Sequence, residues 1–336
     1  MLFKNFELYN VAELVPHEDG IGWRMSRVPK NVRDAMNGSM MPFNTAGCEF
    51  RFVINSGTAK ITLRMASEKA ISDAILYYGG VQSGWQTLTH HIRGEDTVIE
   101  LAPPANAEQV AKINEASGYP YSPNVIRLLL DSAGVILVDA EGDVRPPRED
   151  EVPAKRFLMY GSSITHGSLA CALNNTYLSK ISRRLNCDMY SFGFAGSCRL
   201  EKEMCDYIAE QGNEINPRTW DFAVMELGIN ALNLECDEFE RRVRYLLSRV
   251  TEKNPDKKLF VIDIYYYYSD LMGDPKPDIF REIVKRCASE YPQILHIPGK
   301  ELLTSIRGIS SDNVHPNIDG VQEITDKLGA ILEANI

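Results

Sequence analysis

The sequence predicts an all-β sandwich, jelly-roll-like, followed by an α/β unit whose parallel sheet carries helices on both faces. Three observations predict this. Residues 1 to about 140 hold short runs rich in β-formers and little helical period. A charged, proline-bearing stretch follows, EGDVRPPREDEVPAK at 141–155, which reads as a linker. Beyond it, strand-like and helix-like segments alternate. The expected division is 1–148 and 149–336.

In the first part the candidate strands are CEFRFVI (48–54), AKITLRM (59–65), AILYYG (74–79), TVIELA (97–102), VIRLLLD (125–131) and GVILVDA (134–140). Apolar and polar residues alternate in AKITLRM, as in a strand with one buried face. NSGT (55–58) and APPAN (102–106) read as turns, and 107–116 as one short helix. In the second part FLMYG (157–161), DMYSFGF (188–194), FAVMELG (222–228), KLFVIDIYY (258–266) and QILHIPG (293–299) are candidate strands. Helical segments at 177–185, 201–211, 237–253, 278–291 and 318–335 separate or follow them. Strands covered on both faces read as nearly continuous apolar runs, as these do.

Composition narrows the function classes. Hydrophobic residues make up 44% of the 336 and charged residues 24%, which fits a chain able to bury a core. Acidic residues outnumber basic ones 46 to 36, for a net charge of −10, and no long Lys/Arg run occurs, which argues against nucleic acid as a partner. No apolar stretch approaches the roughly 20 residues of a membrane span, and Lys4, Glu7, Asn10 and Glu13 interrupt any signal-like run. The expectation is a cytoplasmic protein with no membrane partner. Seven cysteines without a C-x-x-C pair predict neither a disulfide framework nor a zinc cage.

In open parallel sheets, ligands bind beyond the carboxyl ends of the strands. Four blocks stand there: GSSITHG (161–167), GFAGS (193–197), ELGIN (226–230) and, before the last helix, SDNVHPN (311–317). A serine hydroxyl needs a base to attack at neutral pH. His315 is a candidate base, and Asp312, three residues earlier, can orient its ring through a tight turn. The backbone N–H groups of Ser163 and Gly196 and the side-chain amide of Asn230 are candidate oxyanion donors. Ser162 is the rival nucleophile, with a turn hydrogen bond as its plain role. His166 either lines the pocket or is a polar loop residue. His17, His90, His91 and His296 read as structural or exposed. The tyrosines of YYYYSDLMGDPKP (265–277) either wall a pocket or pack inward. Trp85 is expected in the core, with a reach toward a cleft as the other reading.

These blocks, in this order, resemble the SGNH (GDSL-type) hydrolase superfamily over about 156–335. The family's G-D-S-x-x-x-G is matched by GSSITHG with Ser163 as nucleophile, its second-block glycine by Gly196, its G-x-N by Gly228 and Asn230, and its D-x-x-H by Asp312 and His315. The resemblance implies a flavodoxin-like, three-layer doubly wound sheet of strand order 2-1-3-4-5. It also implies ester hydrolysis by a Ser-His-Asp triad without metal or organic cofactor. Two positions depart from the pattern: Ser162 stands for the usual aspartate, and Ala231 for the aspartate that often follows G-x-N. YGSSIT, with WRMSRVP (23–29) and AILYYGGVQSGW (74–85), resembles a carbohydrate-esterase subgroup bearing an N-terminal sandwich. The implied substrate is a short-chain, acetyl-type ester of a small molecule or oligosaccharide. Lipid esterase or thioesterase activity, and a catalytically dormant carbohydrate-binding protein, are the alternatives.

Overall fold

The computed structural model describes residues 1–131 and 133–336. They form two compact units. The first comprises Met1–Pro29, Pro42–Ala154 and Asn186–Asp188, and the second Lys30–Met41, Lys155–Leu185 and Met189–Ile336.

The first unit is an antiparallel sheet of 11 strands wrapped over one core. Its organising strand is Glu49–Met65, 17 residues long. Its first half pairs with Ile126–Leu130 and its second half with Thr97–Leu101, while Val135–Arg145 runs beside much of its length. Phe50 and Phe52 from one half and Ile61 and Leu63 from the other enter the same core, so the strand bends around it. NSGT, read as a turn, is the exposed bend within this strand. Gly57 there takes φ +70°, a conformation costly for other residues, and Asn55 and Ser56 hydrogen-bond the Asp143 carboxylate at 2.9 and 2.7 Å. The stretch read as a linker also begins as strand: residues up to Arg145 remain in the ladder with Val144 buried. Arg145 then binds Glu151 with two bonds of 2.7 Å, so the acidic end of the stretch is fastened and its carboxylate buried. The helix foreseen at 107–116 is Ala107–Ala116.

Charge is also buried in this unit. Arg51 forks onto Asp188 at 2.7 and 2.8 Å and onto Glu49 at 2.8 Å, and Arg127 reaches the same Glu49 at 2.7 and 2.9 Å. Two guanidinium groups thus meet two carboxylates, and the rings of Tyr9 and Tyr121 lie 3.4 and 3.9 Å from Arg51 and Arg127.

The second unit has five parallel strands: β1 (Arg156–Gly161), β2 (Asp188–Gly193), β3 (Phe222–Glu226), β4 (Lys258–Ile262) and β5 (Ile294–Ile297). Their order is β2-β1-β3-β4-β5, the doubly wound order expected. Helices α1 (Ser163–His166) and α2 (Tyr177–Leu185) follow β1, and α3 (Lys202–Ala209) follows β2. Helix α4 (Cys236–Lys253) follows β3, and α5 (Tyr268–Leu271) and α6 (Lys276–Ala288) follow β4. Helices α7 (Gly299–Leu302) and α8 (Ile318–Glu333) close the chain. Helix α4 packs between α3 and α6, and α8 packs with α2, giving two helical layers. Strands β1 and β3 are buried almost throughout. The segment Lys30–Met41 joins this unit through the helix Lys30–Ala35, which packs on α3.

Candidate active site

The first block turns directly from β1 into α1. Ser162 is the N-cap: its hydroxyl accepts from the Ile164 N–H at 3.1 Å. Serine and aspartate are about equally good N-caps, so Ser162 fills the local role that an aspartate there would have. Its hydroxyl is committed to the turn. Ser163, one residue on, is largely buried at 8% exposure, and its Oγ lies 2.6 Å from His315 Nε2.

His315 and Asp312 belong to the loop before α8. Asn317 caps that helix, accepting from the N–H groups of Asp319 and Gly320 at 3.0 Å, while its amide donates to Arg307 and Ile309 carbonyls. Asn313 takes φ +72°, which asparagine tolerates well. This folds Asp312 back on the turn. Its Oδ1 accepts from the Ser310 hydroxyl at 2.7 Å and from the N–H groups of Val314 and His315 at 3.1 and 3.0 Å, and its Oδ2 lies 2.6 Å from His315 Nδ1. Burial pushes the Asp312 pKa up, but these four donors outweigh it and hold the carboxyl well below the usual range. An ionised Asp312 keeps the proton on Nδ1, so neutral His315 presents Nε2 as an acceptor to the Ser163 O–H.

The second and third blocks meet beside this chain of groups. Phe194 N–H donates to the Gly161 carbonyl at 2.9 Å, and Ser197 N–H closes a turn onto Phe194 at 3.0 Å. Gly196 sits in that turn at φ +68° with open space where a Cβ would stand. Gly193 has a different reason: a Cβ there would lie 2.2 Å from the His166 backbone nitrogen. Asn230 lies in a short 3₁₀ turn, Ile229–Ala231, and its Oδ1 accepts from the Cys198 N–H at 3.2 Å, which leaves Nδ2 as the outward donor.

Other residues weighed from sequence settle as follows. His166 is buried with Nδ1 3.0 Å from the Gly193 carbonyl, so it pins β2 against α1. His17, His91 and His296 each lie beside an aspartate, Asp19, Asp73 and Asp263 respectively. Tyr265 and Tyr267 are buried and Tyr268 is exposed. Trp85 corrects the expectation of core packing: it is 97% exposed. It stands in the loop 83–88 with Gly84 and Thr87, small or polar residues that build no apolar wall around it. Among the described residues no group of three or more His, Cys, Asp or Glu is placed to hold a metal ion.

Sequence reasoning missed Glu226. It ends β3, fully buried, and its Oε2 accepts from the Ser162 N–H at 2.7 Å and the Thr165 hydroxyl at 3.1 Å. Its Oε1 has no partner. Burial raises its pKa from 4.5 to about 7, against the lowering effect of Ser162 and Thr165. The available signal was an acidic residue closing an otherwise apolar strand, FAVME.

The model of the GDSL-like lipase/acylhydrolase family matches residues 154–333, more than half the chain. The chain is similar to the structure of a salicylyl-acyltransferase from a tetracycline biosynthetic pathway, with a TM-score of 0.76, 13% identity, and 98% of this chain and 96% of that one covered. It is similar to a family two carbohydrate esterase from Cellvibrio japonicus, with a TM-score of 0.61, 10% identity and coverage of 98% and 95%. An acetyl xylan esterase from the rumen bacterium Butyrivibrio proteoclasticus matches with a TM-score of 0.55, 12% identity and coverage of 87% and 90%. At these identities the likeness is one of fold. No curated protein matches the chain. No helix among the described residues is long and apolar enough to cross a membrane. From the span of the family match and the order of the strands, the chain belongs to the GDSL-like lipase/acylhydrolase family of carboxylic-ester hydrolases.

Proposed function

We propose that Ser163, His315 and Asp312 form the catalytic triad of a serine esterase that cleaves short, acetyl-type esters of carbohydrates. The observation that carries this is His315, with Nδ1 2.6 Å from Asp312 and Nε2 2.6 Å from Ser163 Oγ. As Ser163 Oγ attacks the ester carbonyl carbon, its proton passes to His315 Nε2. The imidazolium is stabilised by Asp312. Negative charge on the carbonyl oxygen is met by the N–H groups of Ser163 and Gly196 and by Asn230 Nδ2. Collapse of the tetrahedral intermediate breaks the bond to the alcohol, which leaves with the proton from His315. Water, deprotonated by His315, then attacks the acyl-enzyme, releases the acid and restores Ser163.

The carbohydrate alcohol and the acetyl group rest on the esterases of like fold and on the YGSSIT block. A second reading has a specific observation behind it. Tyr268, Leu271 and Met272 are exposed on and just after α5, and Tyr268 N–H donates to the Asn313 carbonyl in the Asp312 loop at 3.1 Å. An apolar surface tied to that loop suits a longer acyl chain, as in a lipid esterase or thioesterase.

Labelling with a fluorophosphonate tests the triad: one equivalent incorporated at Ser163, and none in Ser163→Ala, is expected. An intact folded protein that takes up no label overturns it and favours a dormant carbohydrate-binding protein. Release assays on acetylated xylo-oligosaccharides, 4-nitrophenyl esters from C2 to C12 and acyl thioesters decide the substrate. Highest kcat/KM on the acetylated sugar supports the first reading, and a rise with chain length supports the second.

A further inference from the structure

Against the nucleophile turn lies an acid to which the ester-cleavage scheme gives no role. Glu226 closes β3 and sends Oε2 to two donors of the first block, the Ser162 N–H at 2.7 Å and the Thr165 hydroxyl at 3.1 Å. Ser162 precedes the nucleophile and Thr165 lies two residues beyond it, so one oxygen grips the turn on both sides of Ser163. The chain makes room for it. A Cβ on Gly161 would lie 2.7 Å from Glu226 Oε2 and 2.1 Å from Thr165 Oγ1, so only glycine lets the acid close on the turn. Thr165 gives its proton to Glu226 and accepts from the Tyr177 hydroxyl at 2.7 Å, which extends the chain to the start of α2.

Glu226 is also tied to a second of the proposed oxyanion donors. Cys198 donates its N–H to Asn230 Oδ1 at 3.2 Å and its thiol to the Glu226 carbonyl at 3.7 Å. The acid thus stands where the Ser163 turn and the Asn230 turn meet. Its Oε1 is buried without a partner, so hydrogen bonding accounts for only half of the carboxyl. Among the described residues no cation pairs with it. An unpaired carboxylate is costly in such a place, which favours the neutral acid, and burial raises the pKa to about 7. The other titratable groups facing it are the Tyr177 hydroxyl on α2, the Tyr265 hydroxyl after β4 and the Cys198 thiol after β2. Burial pushes all three up, and a charge on Glu226 pushes them further. Of this cluster, Glu226 alone therefore titrates between about pH 6 and 9.

Neutral and ionised Glu226 both accept from Ser162 and Thr165, so the turn keeps these hydrogen bonds in either state. Charge is what changes. Attack by Ser163 places negative charge on the ester oxygen, against the Ser163 N–H and Asn230. A carboxylate behind the same donors repels that charge, in an interior that screens it poorly. The imidazolium formed in the same step already has Asp312 beside it.

We propose that Glu226 is a positioning residue for ester cleavage: as a neutral acid it fixes the Ser163 turn without charging the oxyanion site, and its ionisation lowers the rate. This rests on the triad reading and adds to it a residue that touches neither substrate nor His315.

Hydrolysis of 4-nitrophenyl acetate by the full chain from pH 5.5 to 9, corrected for the uncatalysed reaction, tests this beside the rate of fluorophosphonate labelling at Ser163. The ratio of kcat at pH 8.5 to kcat at pH 6 is expected to be about tenfold higher in Glu226→Gln than in the native protein, because the amide accepts the same hydrogen bonds and never ionises. Glu226→Ala supplies no acceptor. It is expected to lower kcat about tenfold or more at every pH, with KM within about twofold, and Gln restores more of the rate than Ala. Labelling rates follow kcat. The same pH ratio in Glu226→Gln and the native protein overturns the proposal, as does a folded Glu226→Ala with native kcat. If Glu226→Ala does not fold, the Gln comparison decides. A native protein that neither labels at Ser163 nor cleaves esters overturns the triad reading and this proposal with it. A labelled, active enzyme whose native and Gln profiles superpose overturns this proposal alone.

Discussion

Replacing Glu226 by Gln separates a buried titration from everything else that depends on pH. In the folded protein the Glu226 pKa is raised from 4.5 to about 7, chiefly by burial. Below pH 4.5 the group is protonated in both folded and unfolded chains; above 7 it is ionised in both. Between those values the folded chain keeps a proton that the unfolded chain releases, so stability falls as pH rises. At about 1.4 kcal/mol for each pH unit of the window, the loss is on the order of 3 kcal/mol. Gln keeps an acceptor for Ser162 and Thr165 but does not titrate. It also places an NH₂ at Oε1, where the protonated carboxyl already holds a donor without a partner, so its pH-independent cost relative to protonated Glu226 is small. The stability of the native protein relative to Glu226→Gln therefore falls by about 3 kcal/mol between pH 4.5 and pH 7.5. Urea unfolding of both proteins at half-unit steps from pH 4.5 to 8 measures it. Parallel stability curves for the two proteins would refute the reasoning, because they would mean that Glu226 carries the same charge folded and unfolded.

Asp312→Asn is expected to lower kcat on 4-nitrophenyl acetate about 10⁴-fold, since an amide facing Nδ1 favours the wrong imidazole tautomer; a loss under tenfold counts against the triad. Asn230→Ala should lower kcat by roughly 10²–10³ with little change in KM, and a change confined to KM would remove it from the oxyanion site. Arg51→Met leaves Asp188 without its guanidinium and Glu49 with Arg127 alone; urea unfolding should show a loss of about 3–5 kcal/mol, and a loss under 1 kcal/mol would mean the buried charges are replaceable.

Much of the second unit was legible because one physical pattern repeats there. Strands covered on both faces are written as apolar runs, and in such sheets ligands bind beyond their carboxyl ends, so GSSITHG, GFAGS, ELGIN and SDNVHPN stand out in the sequence itself. The closeness of Ser163 to His315, 152 positions later, is a property of topology that local pattern supplies only through resemblance. The first unit was harder. NSGT has the composition of a turn, yet its backbone is held in a ladder by a partner strand far along the chain. Trp85 is apolar by composition, and nothing local tells that no neighbour covers it. Glu226 is not legible locally because its neighbours read as core, and the donors that justify its burial, Ser162 N–H and Thr165, lie on another segment.

The helix Lys30–Ala35 and the turn after it belong to the second unit. Asn37 N–H donates to Glu201 Oε1 at 2.9 Å and its side chain reaches the Gly196 carbonyl at 3.4 Å, across 164 and 159 positions. On a ribosome adding about 5–20 residues per second, that early piece waits roughly 10–30 s for its partners to emerge. Until then it must stay undocked while the strands around it close. A shortened protein starting at residue 149 never receives it, and the turn at Gly196 would be left to hold its shape unaided.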